Sequence, residues 1–396
     1  MTDKTMPALR FRGFYDTWEQ RKSKDLFIPK IKKGKTELPV LSVTQTSGVV
    51  YRDEVGIDIK YDRNTLSNYK VIEPNDFVIS LRSFQGGFEL SNKLGIASPA
   101  YTVFAPKDID EHANLFWKYK FKTFSFIQSL KTVTFGIRDG KSISFSEFGD
   151  LKIRFPKNIR EQEKIGSFFK QLDIVITQNG RKSDLLKRQK QAYLQKIFNQ
   201  KVRFSGFSDT WEQRKLGEVA YIIGGGTPST SNPDYWDGDI NWYTPAEIGE
   251  QVYVSESKKT ITELGQQKSS AQILPVDTVL FTSRAGIGKT AILAKESATN
   301  QGFQSIVPEK NKLDSYFIFS RTNELKHYGN VTGAGSTFIE VSGKQMAKMP
   351  IMLPNIDEQK KIGSFFKQLD NLITLNQQKL TLLKKQKQAY LQKMFI

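Results

Sequence analysis

Residues 165–173 read IGSFFKQLD, and residues 362–370 read IGSFFKQLD again. QKQAYLQK stands at 189–196 and returns unchanged at 386–393, and DTWEQRK stands at 16–22 and at 209–215. Between these matched pieces, residues 23 to about 155 and 216 to about 352 share almost no run of identity. The chain is two half-molecules with a common frame and different inserts, the pattern of a scaffold that presents two different recognition surfaces.

The frame carries helical periodicity. Apolar side chains recur at spacings of four and three in the first copy, at Ile165, Phe169, Leu172, Ile176, Leu186, Tyr193 and Ile197. The second copy gives Ile362, Phe366, Leu369, Ile373, Leu380, Leu383, Tyr390 and Met394. This heptad seam predicts two helices of about 38 residues, about 57 Å each, which need a partner to be stable in water. Asn179 and Asn376, and Lys190 and Lys387, interrupt the seam at matching places. Polar seam residues weaken packing but fix register, so the two helices are expected to pack on each other rather than each on its own domain. Pro156 with Asn158, and Pro354 with Asn355 and Asp357, supply a strand stop and a helix cap before each. Residues 199–205 link the first helix to the second half, and the second helix is expected to close against the first 22 residues.

The inserts read as short strands with loops. In the first, residues 39–51, 75–81 and 100–106 have the β-branched and aromatic content of strands; in the second, residues 219–223, 277–283 and 303–309 correspond. Helical stretches follow near 115–130 and 315–325. Pro74 with Asp76 introduces the strand leading to Arg82, and Pro275 with Asp277 the strand leading to Arg284, with a Gly-containing loop after each Arg. The shared order predicts two diverged copies of one fold.

Lys and Arg number 59 against 41 Asp and Glu, for a net charge of +18. With an isoelectric point near 9.6, a polyanionic partner is expected, nucleic acid ahead of an anionic membrane surface. The chain has no cysteine and only two histidines, His112 and His327, in unlike contexts. Disulfides, thiol catalysis and cysteine-ligated zinc are excluded, and a histidine metal site is not expected. No apolar run approaches twenty residues, so a cytoplasmic protein is expected.

Several motifs imitate catalytic ones. GIGKT at 286–290 has Ser283 where a phosphate loop needs its first glycine. GGGTPS at 224–229 is a loop that permits close backbone approach, and NPDY at 232–235 has Asp234 where an amino-methyltransferase motif needs proline. No carboxylate pair or nucleophile with a histidine stands out, which favours a binding protein over a methyltransferase or nuclease in its own right. A coiled-coil scaffold whose inserts bind protein is the other reading.

These residues together resemble the specificity subunit of a type I restriction-modification system. The resemblance rests on WEQRK at 18–22 and 211–215, GGTPS at 225–229, and NPDYWDGDINWYTP at 232–245. It rests further on FTSRAGIGK at 281–289, TNQGF at 299–303 and the two EQxKIGxFFxxLD helix starts, and covers essentially the whole chain. The first insert departs from the pattern, with KIKKGK at 30–35 and IASPAYTVF at 96–104 in place of the GGTPS and TNQGF segments.

The resemblance implies an α/β fold class: two globular mixed α/β target recognition domains joined by two long helices in an antiparallel coiled coil, with an internal pseudo-twofold repeat. The implied division is an N-terminal segment with the first recognition domain (1–156), a spacer helix (157–200), the second domain (201–354) and a second spacer helix (355–396). Each domain would read one half of a bipartite, asymmetric double-stranded DNA target, with the coil as ruler. Two modification subunits carrying S-adenosylmethionine would methylate adenine, and restriction subunits using ATP and Mg would translocate and cut. The chain itself would be non-catalytic, bind no cofactor or metal, and dock those partners on its repeated segments. DNA contacts would come from the loops after the matched strands: Arg82, Ser83 and Gln85 in the first domain, Arg284, Lys289 and Thr290 in the second. A further loop in each would offer Arg138 with Lys141 and Ser336 with Thr337, and Thr227 and Ser229 are phosphate-contact candidates.

Overall fold

Two helices, Ile159–Phe198 of 40 residues and Ile356–Lys393 of 38, carry the frame in a computed structural model of the chain. The structure describes residues 6–44, 47–55, 63–81, 87–133, 143–284, 286–334 and 339–396. Asn158 accepts from the Arg160 amide at 3.0 Å and Asn355 from the Glu358 amide at 2.9 Å, so both expected caps are in place. The chain divides into two compact units, one of residues up to Arg181 with Gln377–Ile396, the other Lys182–Asn376. Each unit therefore contains a piece of both long helices.

Within each unit the two pieces run antiparallel. In the first unit Phe168 meets Tyr390 with ring centres 5.2 Å apart, and Asp173 meets Lys387 at 2.5 Å. In the second unit Phe365 meets Tyr193 at 5.2 Å, and Asp370 meets Lys190 at 2.5 Å. The segments that are identical in sequence thus pack on each other, IGSFFKQLD of one helix against QKQAYLQK of the other, twice. Ile165, Phe169, Ile362, Phe366, Leu369 and Ile373 are buried, whereas Leu172, Ile176, Leu186 and Leu383 are half-buried. The seam is a full core only where a domain also packs on it.

The polar interruptions differ from expectation. Lys190 and Lys387 are not lone seam cations, because each faces a carboxylate on the other helix. Asn179 and Asn376 are not an equivalent pair: Asn376 is buried, while Asn179 is half-buried and donates to Val175 O of its own helix at 2.8 Å.

The frame extends further than the identical runs. Arg10 donates to Glu161 at 2.6 and 2.7 Å, and Arg203 to Glu358 at 3.0 and 2.5 Å; both glutamates are 1% exposed. Each strand that follows, Glu19–Lys22 and Glu212–Lys215, pairs antiparallel with the strand before a long helix, Lys152–Phe155 and Pro350–Leu353. The end of the second helix closes on the N-terminal segment as expected: the Leu9 amide donates to Lys393 O at 2.9 Å, and Phe395 packs against Trp18 and Phe116.

The inserts share one strand order. In the first unit Phe27–Pro29, Thr102–Pro106, Phe77–Ile79 and Phe88–Leu90 lie side by side. In the second, Ala220–Gly224, Gln304–Pro308, Val279–Phe281, Thr290–Leu293 and Tyr253–Val254 follow the same plan with one strand more. A three-stranded sheet of Lys259–Ile261, Trp236–Tyr243 and Ser297–Thr299 stands there, where the first unit has Lys70–Ile72 paired with Gly95–Ala97. Three expected elements are split, the helical stretch near 315–325 among them, into Ser315–Ser320 and Thr322–Thr332. Residues 39–51 form the hairpin Leu41–Thr44 and Gly48–Tyr51, turned with Gly48 at φ +69°. The helical stretch near 115–130 breaks into Asn114–Lys120 and Phe124–Ser129, because Thr123 caps the second by accepting from Phe126 N.

Three helix glycines give opposite predictions. A Cβ at Gly166 would lie 2.6 Å from Leu115 and one at Gly363 2.4 Å from Asp314, whereas one at Gly180 meets nothing within 4 Å. Gly180→Ala should raise stability by about 0.5–1 kcal/mol through lost unfolded-chain entropy. Gly166→Ala and Gly363→Ala should lower it by about 1–3 kcal/mol through overpacking. Urea unfolding of the three variants checks the signs.

Lys120 is 3% exposed, donates to the Ile396 carbonyl, and burial, with the charge of Arg154, pushes its amine down to about 7 from 10.5. Across that interval the unfolded chain holds a proton that the folded chain does not, so stability rises with pH. Lys120→Met should remove this slope. The wild-type minus variant difference in unfolding free energy should grow from pH 7 to pH 9, and a constant difference would contradict a neutral buried amine.

Candidate nucleic-acid interface

In the second unit three segments meet at one edge of the five-stranded sheet. The loop after Ala220–Gly224 lies on residues 299–302: the Gly226 amide donates to Thr299 O at 2.9 Å. A Cβ at Gly225 would lie 2.1 Å from Asn300 O, so only glycine allows that approach. The strand Val279–Phe281 continues into the same place, with Thr282 bridged to Phe303 and the Ser283 amide donating to Gly302 O at 2.8 Å. The three glycine-containing motifs of the second insert form one surface.

Thr227 and Ser229 are both exposed on this surface. The Thr227 hydroxyl donates to Gln301 Oε1 at 2.5 Å, and Ser229 shares a 2.8 Å bond with Ser231 while its carbonyl accepts from Trp236 Nε1 at 3.1 Å. Gln301 is exposed and was not singled out from the sequence, although it stands inside TNQGF; only its place beside Thr227 distinguishes it.

Thr282 closes the loop that follows it through its backbone, which bonds Lys289 O and Gly288 N at 3.0 Å, and through its hydroxyl. Thr282 Oγ1 donates to Gly286 O at 2.8 Å and accepts from Lys289 N at 2.9 Å, and Gly286 and Gly288 have φ of +105° and +93°. The turn is closed on itself, with Ile287 buried in the core and Lys289 exposed. Among the described residues, half-buried Arg284 makes no hydrogen bond or ion pair, and exposed Lys289 has no side-chain hydrogen-bond or ion-pair partner. Burying part of an arginine without an acceptor has a cost that an incoming phosphate or guanine edge would offset. Thr290 behaves otherwise: it is 6% exposed, opens the strand Thr290–Leu293, and its hydroxyl is bonded to Thr322 at 2.7 Å. It supports the loop from below and does not reach its surface.

Lys289 also lines a cleft of about 360 Å³ with Lys190, Lys326, Glu250 and the start of helix Thr322–Thr332. Lys326 sits on an exposed helix face, which sequence reading treats as a solvated position. In the first unit, Ser80 N donates to Gly87 O at 2.8 Å, so Phe77–Ile79 and Phe88–Leu90 bracket the counterpart of this loop. Arg82, Ser83, Gln85, Arg138, Lys141, Ser336 and Thr337 lie outside the described residues. The basic run of the first insert is partly neutralised, Lys30 and Lys32 facing Glu73 at 3.4 and 3.2 Å. Lys32 and Lys30 hold the Glu73 carboxyl below its ordinary value.

Among the described residues no group of three or more His, Cys, Asp or Glu could hold a metal ion, and no helix is long and apolar enough to cross a membrane. His112 is enclosed by Phe27, Trp117 and Phe155, and burial lowers its pKa. Asn232 caps the turn Pro233–Tyr235 by accepting from Asp234 N at 3.0 Å, which gives the NPDY segment a structural role.

The family described as "Type I restriction modification DNA specificity domain" matches residues 15–188 and again 208–385. The MjaIX specificity subunit of Methanocaldococcus jannaschii is 36% identical over 166 residues, 41% of this chain and 38% of that protein. A type I restriction enzyme specificity subunit of Escherichia coli is 29% identical over 169 residues, 41% of each chain. These matches span about 40% of the length of the curated relatives. The fold is similar along its whole length to a crystal structure of a type I restriction-modification S subunit from M. genitalium, with TM-score 0.64, 16% identity and 99% of each chain covered.

Proposed function

The chain belongs to the type I restriction modification DNA specificity family, and from this we propose that it is the DNA-reading, non-catalytic specificity subunit of a restriction-modification complex. Each recognition domain reads one half of a bipartite, asymmetric double-stranded DNA site, and the paired helices set the spacer between the halves. The observation that carries this reading is the pairing of one frame, built twice from identical segments, with two inserts of the same strand order and different loops. Identical frames suit identical partners, and different loops suit different half-sites.

In the second domain Arg284, Lys289, Thr227 and Ser229 meet the DNA, joined by Gln301 and Lys326. Arg284 is the base reader of this set, since an unpaired guanidinium offers two parallel donors to guanine. Lys289 and Lys326 contact phosphate, consistent with a net charge of +18. Modification subunits bind S-adenosylmethionine and methylate adenine, restriction subunits use ATP and Mg, and this chain holds none of these groups. The complex acts in the cytoplasm. Partner docking uses the outward faces of the long helices, because the inward faces of the identical segments are occupied by each other.

The test is the adenine methylome of a methylation-deficient cell that expresses this chain with its modification subunit, against the modification subunit alone. A new bipartite motif with one spacer length, present only with this chain, is expected. Arg284→Ala should relax one half-site, at a cost of about 1–3 kcal/mol in discrimination there, and leave the other unchanged. An active, stable complex that adds no methylation would remove the DNA reading and favour a scaffold whose inserts bind protein.

A further inference from the structure

One carboxylate in each unit joins three elements. In the first unit Asp173 of the first long helix accepts the Tyr119 hydroxyl through Oδ2 at 2.8 Å and faces Lys387 of the second long helix through Oδ1 at 2.5 Å. In the second unit Asp370 accepts the Tyr316 hydroxyl through Oδ2 at 2.9 Å and faces Lys190 through Oδ1 at 2.5 Å. Tyr119 lies in the insert helix Asn114–Lys120 and Tyr316 in the insert helix Ser315–Ser320. Each carboxylate is thus shared by a recognition domain and both helices of the frame.

The arrangement is more specific than packing requires. Tyr119 and Tyr316 are 2% and 6% exposed, so a phenylalanine ring would bury nearly the same apolar area. What the hydroxyl adds is direction: apolar contacts tolerate sliding, whereas a hydrogen bond to a charged acceptor weakens steeply when its angle is lost. Burial and the neighbouring carboxylate push both phenols up, so each remains a donor at any working pH. The tyrosines stand on corresponding insert helices but at different positions, Tyr119 sixth in Asn114–Lys120 and Tyr316 second in Ser315–Ser320. The node recurs where the rest of the insert has diverged.

We propose that Asp173 and Asp370, each with its Tyr and Lys, are positioning residues that seat each recognition domain on the helix pair and thereby restrict the complex to one spacer length. This inference rests on the reading of the chain as a reader of two half-sites. Adding one base pair to a spacer moves a half-site by about 3.4 Å along the DNA axis and rotates it by about a tenth of a turn. A seat that loses the tyrosine bond is held to the helix by the backbone bonds of Gln162 or Gln359 at one end of the insert helix, and so gains slack to follow such a shift.

The experiment uses the full chain with its modification subunit and compares wild type with Tyr119→Phe, Tyr316→Phe and the double variant. Methylome sequencing reads half-site sequence and spacer length separately, and thermal melting of each complex reports folding. The expected result is unchanged half-site bases in all four proteins, with sites one base pair longer or shorter methylated at least tenfold more by the double variant than by wild type. Each single variant should move in the same direction by less. A folded double variant that keeps the wild-type spacer overturns the proposal and reduces the nodes to packing. Altered half-site bases also overturn it, because the tyrosines would then be acting on readout. A wild-type complex that gives no bipartite motif removes the underlying reading and this inference with it, and is distinguishable because it needs no substitution.

Discussion

The mutual packing of IGSFFKQLD and QKQAYLQK is the contact on which the rest depends. A helix of about 40 residues with one apolar stripe gains its stability from what covers that stripe. Here the cover is the other helix, and each interface contains one aromatic edge contact and one Lys–Asp pair. The aromatic contact adds about 0.5–1.5 kcal/mol beyond burial. The half-buried ion pair contributes less to stability than to register, because a helix slipped by one turn would leave Lys190 or Lys387 without its carboxylate. Since each segment meets a copy of its partner segment, the same complementarity is required twice. That requirement accounts for the identity of these stretches.

The same logic extends to the ends of the helices. Phe198 packs on Trp211, Phe317 and Phe366 in the second unit, and Phe395 packs on Trp18, Phe116 and Phe169 in the first. The Val202 amide reaches Lys196 O at 3.2 Å, and the Leu9 amide reaches Lys393 O at 2.9 Å. A covalent link in one unit and a docked segment in the other therefore satisfy the same helix-end carbonyl. The Arg–Glu pairs complete the match, since an arginine that caps its own loop carbonyl, Asp16 O or Asp209 O, also neutralises a buried glutamate of the helix start.

Periodicity and order were legible in the sequence, and pairing was not. The apolar spacing located both helices, and the Pro-Asn signals their caps, because these depend on residues close in the chain. The shared strand order followed from the positions of Pro74 and Pro275 relative to the strands they precede. Lys190 and Lys387 read as seam interruptions because their carboxylates lie on a different helix, far away in sequence. The break at Thr123 was hidden because Phe121 and Phe124 continue an apolar pattern across it. Thr290 looked like part of a loop tip, yet the strand begins there and its hydroxyl turns to Thr322. Gln301 had no local signal, since its place beside Thr227 is made by two loops that meet only in the fold.

How inserts can diverge so far on a constant frame follows from the kind of contact that joins them. Gln162 donates to Glu111 O at 3.1 Å and accepts from Ala113 N at 3.0 Å; Gln359 donates to Lys312 O at 3.0 Å and accepts from Asp314 N at 3.1 Å. These bonds bind the insert by its backbone, so they are indifferent to whether the residue is Glu or Lys, Ala or Asp. Gly166 and Gly363 act in the same way, since each admits the insert backbone against the helix surface at a distance no side chain would allow. Side-chain demands on the insert are few, chiefly the tyrosine of each node and the rings of Phe116 and Phe317 that meet Phe395 and Phe198. An interior rich in phenylalanine in one domain, and one with buried Ser283, Thr299 and Ser305 in the other, can therefore sit on the same seat. The parts of each insert away from the seat are left free of these constraints.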